Sequence, residues 1–296
     1  MFKKILVGIL VLVIASLALA YFVVGPETIA HLTFGYDKGE EYVYLITKIQ
    51  FGKYPQSVKE DSIEIYENDK DKNGYYLGSD GERYAKLTAK TFEKGYKFNN
   101  EQEIIEGKEY YFKVEPITWR IIDSDGGDTL LVITNNVLEI TRYDNSNNNY
   151  SNSEVKSFIN NELYLKMFTG YKTKLMLSQS IKNNATTTGY EDNPYVCGAT
   201  TSRIFLPSYE DLQHPIWFFL ENSEYFVASD YVRAKGVQIN VTEEFYGSTT
   251  YMLRSPSNVD ARTVRTFTYN GEYGEVYIGK ECGITPAFYI EYILDY

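Results

Sequence analysis

A stretch of aromatic and β-branched residues decides the fold: residues 110–122 read YYFKVEPITWRII. Such residues are enriched in strands, and Glu115-Pro116 interrupts the stretch, so the sequence predicts two strands, at residues 110–114 and 117–122. A third strand is predicted at residues 129–134, TLLVIT, after a turn-forming Ser-Asp-Gly-Gly. The three predicted strands form a hairpin or a meander.

The middle of the chain carries the signals of short helices. Ser153 is a predicted N-cap, because the apolar residues that follow it recur with the 3.6-residue period of an amphipathic helix. Ser208 with its acidic successors marks another helix start, and residues 229–235 predict a further short helix. Polar loops are predicted at residues 145–152 and 183–194.

The C-terminal part returns to strand signals. Strands are predicted at residues 250–253, 263–269, 274–278 and 287–293, and Asn270-Gly271 is a type I′ hairpin signal between two of them. Because strands dominate both ends and helices the middle, the predicted class is α+β, strand-rich, with short helices in the middle of the chain.

The N-terminus predicts export. Lys3 and Lys4 precede residues 5–24, an uncharged apolar run long enough for a transmembrane helix, and lysines on that side keep the N-terminus in the cytoplasm. A signal peptide is the alternative, because Ala18-Leu19-Ala20 has the form of a cleavage site. The predicted location is the cell membrane, with an extracytoplasmic C-terminal domain, or the medium after cleavage near Ala20.

Three regions follow from this pattern. Residues 1–26 form the signal anchor or signal peptide, and residues 27–45 form a spacer whose first part, 28–34, extends the membrane helix by about two turns. Residues 46–296 form a single extracytoplasmic α+β domain.

Composition excludes several functions. The net charge of −11 repels nucleic-acid phosphates, so nucleic acid is not an expected partner. His31, His214, Cys197 and Cys282 are too few and too scattered for a His- or Cys-rich metal site, and no cofactor is predicted. The sequence contains no nucleophile-elbow, P-loop or HExxH motif, which favours a noncatalytic domain over an enzyme.

The two cysteines leave two alternatives open. In an exported chain Cys197 and Cys282 can form a disulfide, whose loop closure is worth roughly 4 kcal/mol on the chain-entropy estimate. Two unpaired, buried thiols are the other alternative.

Seven motifs occur in the order of a known family. They are QFGKYPQ at residues 50–56, EPITWR at 115–120, FIN at 158–160, IFLPS at 204–208, Tyr231 through Ala234-Lys235-Gly236, YMLRSP at 251–256 and GITPA at 283–287. Over residues 46–293 the chain resembles an extracytoplasmic domain of unknown function from low-G+C Gram-positive bacteria. That family looks like a distant relative of the C-type-lectin-like fold of formylglycine-generating (sulfatase-modifying) enzymes.

The chain departs from these relatives at three places. The family usually has arginine where Thr285 stands and an aromatic pair at Tyr251-Met252. The formylglycine-generating enzymes hold copper with two C-terminal cysteines, whereas only Cys282 falls in that region here. The resemblance therefore implies a fold and a location but does not carry over that catalysis.

The expected function is binding. A noncatalytic domain, tethered or secreted, is predicted to bind a cell-envelope glycan, peptide or protein; an unrecognised enzyme on the same fold and a structural envelope spacer are the alternatives. Asp230, Tyr231, Arg254 and Asn258 are the predicted ligand-binding residues, because the resemblance implies that their two segments converge. The competing interpretation pairs Arg254 with Asp230 as a structural ion pair.

Overall fold

The computed structural model describes residues 30–38, 41–124, 129–168, 176–213 and 226–291. Within these ranges no helix is both long enough and apolar enough to cross a membrane. The apolar segment at residues 5–24 and His214 lie outside the described residues.

The large sheet contains the strands that the opening motif predicts. Its strands are β1 (Ala30–Lys38), β2 (Glu41–Val58), β3 (Ile65–Lys70), β4 (Tyr76–Gly78), β5 (Arg83–Thr88), β6 (Glu109–Ser124) and β7 (Thr129–Thr134), together with two strands from later in the chain. The order β3-β4-β5-β6-β7 continues into those later strands, while β2 pairs with β6 and β1 with β2. The prediction of a strand at residues 129–134 is confirmed.

The predicted break at Pro116 is wrong, because β6 is one continuous strand of 16 residues. Pro116 is exposed and pairs with Lys53 next to an irregularity in β2 between Gln50 and Lys53, so a residue without an N–H is tolerated there. Gly52 forms this irregularity with φ 77°, and a Cβ at that position would lie 2.8 Å from the Met167 carbonyl oxygen. Only glycine fits there without strain.

The region predicted as a spacer contains strand. Residues 30–38 form β1, which pairs antiparallel with the first half of β2. The predicted helical extension over residues 28–34 is therefore wrong for residues 30–34. The segment His-Leu-Thr-Phe contains a β-branched and an aromatic residue, and it pairs with β2 across two register irregularities.

The middle of the chain has the predicted helices. They are α1 (Glu154–Phe158), a π turn (Ile159–Leu163), α2 (Tyr164–Phe168) and α3 (Asp230–Arg233), with 3₁₀ turns at Tyr150–Asn152, Ala185–Thr188 and Asp211–Gln213. Ser153 caps α1 by accepting a hydrogen bond from the Lys156 amide, and Ser229 caps α3 in the same way from Val232. The predicted cap at Ser153 is confirmed, and the predicted short helix at residues 229–235 is present as α3.

The remaining strands complete three sheets. They are β8 (Glu139–Thr141), β9 (Met176–Leu177), β10 (Gln179–Ile181), β11 (Thr200–Ser202), β12 (Tyr251–Pro256), β13 (Thr263–Phe267), β14 (Tyr273–Tyr277), β15 (Cys282–Ile284) and β16 (Ala287–Glu291). β16 and β9 extend the large sheet, β10 pairs with β11, and the order β14-β13-β12-β15-β8 forms the third sheet. The chain is strand-rich, consistent with the predicted α+β class.

One core joins these layers. Trp119 on β6 is fully buried, donates from Nε1 to the Phe51 carbonyl at 2.7 Å, and packs on Phe288 and Phe168 with ring centroids at 4.6 and 6.1 Å. These contacts join β2, β6 and β16 to α2.

Candidate functional site

A polar groove lies between β10 and the large sheet. It consists of adjoining cavities of about 330 and 260 Å³ that share Asp123, Ser180 and Tyr289. The remaining lining residues are Thr129, Leu131, Gln179, Ile181, Lys182, Glu210, Asp211 and Arg254. Arg254 is thus the one predicted ligand-binding residue that lines this groove.

Arg254 lies at the floor of the groove, and its nitrogens are already engaged. Its side chain forms an ion pair with Asp211, donates from Nη1 to the Leu206 carbonyl at 2.9 Å, and donates from Nε to the Lys182 carbonyl at 3.3 Å. The residue is 4% exposed. Arg254 is therefore part of the structure that shapes the groove, and the exposed side chains above it are available for a ligand.

Asp211 is held in place by a helix start that the sequence predicts. The Ser208 hydroxyl accepts from the Asp211 amide at 3.1 Å, and the Asp211 carboxylate accepts from the Ser208 amide at 2.8 Å. This reciprocal arrangement follows the logic of a capping box. The same carboxylate then receives Arg254, so a local turn and a partner 43 residues away fix each other.

The walls of the groove carry exposed polar groups. Ser180 and Lys182 come from β10 and its end, and Glu210 comes from the turn that holds Asp211. These three side chains are exposed, and sequence reasoning missed them. The signal was weak, because short polar segments of this kind also describe ordinary loops.

Asp230, a predicted ligand-binding residue, does not line the groove at Arg254. It is buried at the start of α3, where its two carboxylate oxygens accept from the amides of Val58 at 3.1 Å and Asn99 at 2.8 Å. Burial raises the pKa of Asp230, and the two amides and Arg233 oppose that rise. The predicted ion pair between Arg254 and Asp230 is wrong, because Arg254 pairs with Asp211.

Tyr231 and Asn258 also lie away from the groove lining. Tyr231 is partly buried and packs edge-to-face on Tyr54 and Phe112, with ring centroids at 5.9 and 5.4 Å. Asn258 is exposed and follows Ser257, whose hydroxyl donates to Glu275 at 2.6 Å. The structure therefore does not bring the four predicted ligand-binding residues together in one site.

A buried carboxylate brings together two of the sequence motifs. Glu139 on β8 is 3% exposed, accepts from the Tyr54 hydroxyl at 2.7 Å, and forms an ion pair with Lys235. Burial is the largest cause that raises the pKa of Tyr54 well above its ordinary value, and the charge of Glu139 is the second. The hydroxyl therefore stays protonated and donates its hydrogen bond to Glu139. The Lys235 ammonium also lies 4.8 Å from the centre of the Tyr231 ring. This cluster ties the motif at residues 50–56 to α3.

Cys197 and Cys282 are both free thiols in the structure. Whether the two cysteines form a disulfide in the exported protein stays a prediction. Cys282 is buried and donates to the Thr250 carbonyl at 3.3 Å, and burial raises the pKa of its thiol to about 12. Cys197 is partly exposed.

Two further predictions concern single residues and metals. Thr285, where the resembling family has arginine, is fully buried, so an arginine there would need a large rearrangement of the core. In the described ranges no group of three or more His, Cys, Asp or Glu side chains is arranged to hold a metal ion.

Comparison with known proteins gives one family. The model of the "Domain of unknown function (DUF6273)" family matches residues 127–292, which includes five of the seven motifs and leaves QFGKYPQ and EPITWR outside. No curated protein and no solved structure matches the chain. The match spans more than half of the sequence, so the chain belongs to the DUF6273 family.

Proposed function

We propose that this protein is a noncatalytic, extracytoplasmic binding domain. Its groove at Arg254 binds an extended segment of a cell-envelope protein or peptide. The observation that carries the proposal is the groove itself, because it combines a rigid floor with exposed polar walls. Arg254 and Asp211 neutralise each other at the floor, while Ser180, Lys182 and Glu210 present a hydroxyl, an ammonium and a carboxylate.

The strand edge favours a peptide over a glycan in this groove. All three residues of β10 line it, and among the described strands β10 pairs only with β11. An extended peptide can add to such an edge through its backbone, and charged pockets then select its side chains. Lys182 and Glu210 supply one charge of each sign for that selection.

The location and the finer fold belong to the same proposal. The lysines before the apolar residues 5–24 support export, either as a membrane-tethered protein or as a secreted one after cleavage near Ala20. A relationship to the C-type-lectin-like fold is supported by the order of the seven motifs that the chain shares with the resembling family. A chain with Cys282 as the one cysteine in its C-terminal region lacks the two-sulfur copper ligands of the formylglycine-generating enzymes, which supports a noncatalytic role.

Site-specific photo-crosslinking in the producing cell tests this function. A photoreactive phenylalanine analogue at position 180 is expected to give adducts that a protease trims to a peptide remnant on this chain. The same analogue at position 280, an exposed lysine in the turn after β14, is the control. Equal adduct yields at the two positions, or an adduct resistant to protease, would contradict a peptide in the groove.

Intact mass measured on the same preparations tests the location. A chain that begins at Tyr21 and is recovered from the medium supports the signal peptide, whereas a full-length chain in the membrane fraction supports the anchor. Recovery from the cytosol alone would refute both.

A further inference from the structure

A second cleft, of about 470 Å³, opens between the loop at residues 95–101 and the segment at residues 239–246. Tyr96, Lys97 and Glu101 lie on the first side, and Val241, Glu243 and Tyr246 lie on the second. It shares no lining residue with the groove at Arg254. Its volume falls in the range of small-molecule sites, and its lining mixes aromatic, aliphatic and charged groups.

Tyr246 packs against a buried arginine and offers part of its ring to the cleft. The buried Arg233 guanidinium lies 5.7 Å from the centre of its ring, and Arg233 is itself fixed by donating to the carbonyls of Ala228 at 3.2 Å and Lys97 at 3.0 Å. Gly247, with φ 80°, leaves room for the Arg233 guanidinium, since a Cβ at that position would clash with Arg233 Nη2. Tyr246 nevertheless stays 40% exposed, so part of its ring is open to the cleft.

The opposite wall, the loop at residues 95–101, is held by Asp230, which lies on the same helix, α3, as Arg233. Asp230, which sequence analysis assigned to ligand binding, accepts from the Asn99 amide within this loop at 2.8 Å. Glu101 has φ 68°, the one positive φ among the described non-glycine residues, and its carboxylate pairs with Lys97 at 3.1 Å. Backbone held in a sparsely populated region requires support from its surroundings and is often found at functional sites.

The charges of the cleft favour a cation. Lys97 faces two carboxylates and already pairs with Glu101. Glu243 is exposed and, in the part of the chain that the structure describes, makes no hydrogen bond or ion pair. A ligand with an ammonium group would therefore find an uncompensated carboxylate in the same cleft as the Tyr246 ring.

We propose that this cleft binds a saccharide of the amino-sugar class that carries a free ammonium group. The apolar face of the pyranose ring packs on Tyr246 and Val241, the ammonium pairs with Glu243, and the hydroxyls bond to the Lys97–Glu101 pair. A tyrosine ring suits this role because it offers a large apolar face with little flexibility to lose. Asp230 and Arg233 are positioning residues, since they hold the two walls without lining the cleft.

Titration calorimetry on the full-length chain tests the proposal with a β-1,4-linked glucosamine tetramer as the probe. We expect saturable binding that weakens as salt is raised, and at least tenfold weaker binding of the fully N-acetylated tetramer, which lacks the charge. Glu243→Gln should weaken binding of the charged tetramer about tenfold and leave the neutral one unchanged.

Matched tyrosine variants locate the site. Tyr246→Ala should weaken binding at least tenfold, while Tyr246→Phe, which keeps the ring, should stay within about twofold of the parent. Tyr277→Ala is the control, because Tyr277 is 50% exposed and has the Arg262 guanidinium 5.5 Å from its ring centre, but does not line the cleft. Absent binding of the charged tetramer, equal binding of the neutral one, or equal losses in Tyr246→Ala and Tyr277→Ala would each overturn the assignment. Crosslinking at position 180 is independent of these outcomes.

Discussion

Replacing Arg254 with alanine tests whether this residue is structural or binds a ligand directly. The substitution removes an ion pair with Asp211 and two hydrogen bonds to carbonyl oxygens, and all three interactions are in or near the core. Asp211 would remain with an uncompensated charge, since its side chain is only 13% exposed. A residue with these contacts stabilises the fold even when no ligand is present.

The magnitude follows from the burial of both partners. Breaking a buried ion pair by removing one member costs about 3–5 kcal/mol, and the residual exposure of Asp211 places this case at the lower end, about 3–4 kcal/mol. For a domain of this size 1 kcal/mol shifts the melting temperature by about 2–4 °C, so we expect Arg254→Ala to melt roughly 6–16 °C below the parent.

Circular dichroism melting and urea unfolding measure this difference. Arg142→Ala is the matched control, because it also removes an arginine from an ion pair, but Arg142 and Glu154 are 47% and 43% exposed. Exposed pairs contribute about 0–1 kcal/mol, so the control should lie close to the parent. Asp211→Asn should reproduce most of the loss, and a double-mutant cycle should give a coupling above about 1 kcal/mol.

The result that refutes the reasoning is an Arg254→Ala protein that melts within about 2 °C of Arg142→Ala. That outcome would mean that the pair with Asp211 does not hold the groove floor. It would return Arg254 to the role first predicted for it, a residue that contacts the ligand directly.

Three smaller predictions follow from other contacts. Burial raises the pKa of the Cys282 thiol to about 12, so at pH 8 a maleimide should label the native protein at Cys197 first. After denaturation without a reductant, both cysteines should be labelled. If neither is labelled until a reductant is added, the two cysteines form a disulfide. Ser153→Ala should cost about 1 kcal/mol in urea unfolding, because it removes the N-cap of α1, and no loss would contradict that cap. Tyr54→Phe removes the hydroxyl that donates to buried Glu139 and should cost about 1.5–3 kcal/mol, whereas a neutral effect would show that this hydrogen bond is not needed.

Local signals predicted the local structure well. The strand at residues 129–134, the cap at Ser153 and the short helix at residues 229–235 depend on neighbouring residues, so periodicity and capping chemistry are sufficient to find them. β15, at Cys282–Ile284, was missed because three residues are too few to show a period. It is a strand because β12 and β8 pair with it.

The predicted type of the turn between β13 and β14 is wrong. Asn270-Gly271 predicts a two-residue type I′ turn, which needs positive φ at both residues. Gly271 has φ 80°, but Glu101 alone has a positive φ among the described non-glycine residues, so Asn270 does not. The loop is longer, closed by the Thr268 amide donating to the Glu272 carbonyl at 2.7 Å. The position of the hairpin was predictable, whereas its turn type depended on the register of the sheet.

The pairing of charges was beyond the reach of local signals. Arg254 and Asp211 are separated by 43 residues, and Tyr54 and Glu139 by 85, so neither contact leaves a periodic pattern in the sequence. Arg254 paired with Asp211 instead of Asp230 because the turn at Ser208 places the Asp211 carboxylate beside β12. A single sequence offers several acidic partners and no means of choosing among them.

These contacts suggest a common principle for the groove at Arg254 and for the second cleft, at Tyr246. Buried charged residues are costly unless hydrogen-bonded, and here their partners are loops that line a cavity: Arg254 holds the turn at Asp211 and the end of β10, while Arg233 and Asp230 hold the loop at residues 95–101. In the second cleft the buried charges lie behind the walls, whereas in the groove at Arg254 they form the floor. The ligand contacts that we propose fall to exposed neighbours such as Lys182 and Glu243, whose substitution should not destabilise the loops that carry them.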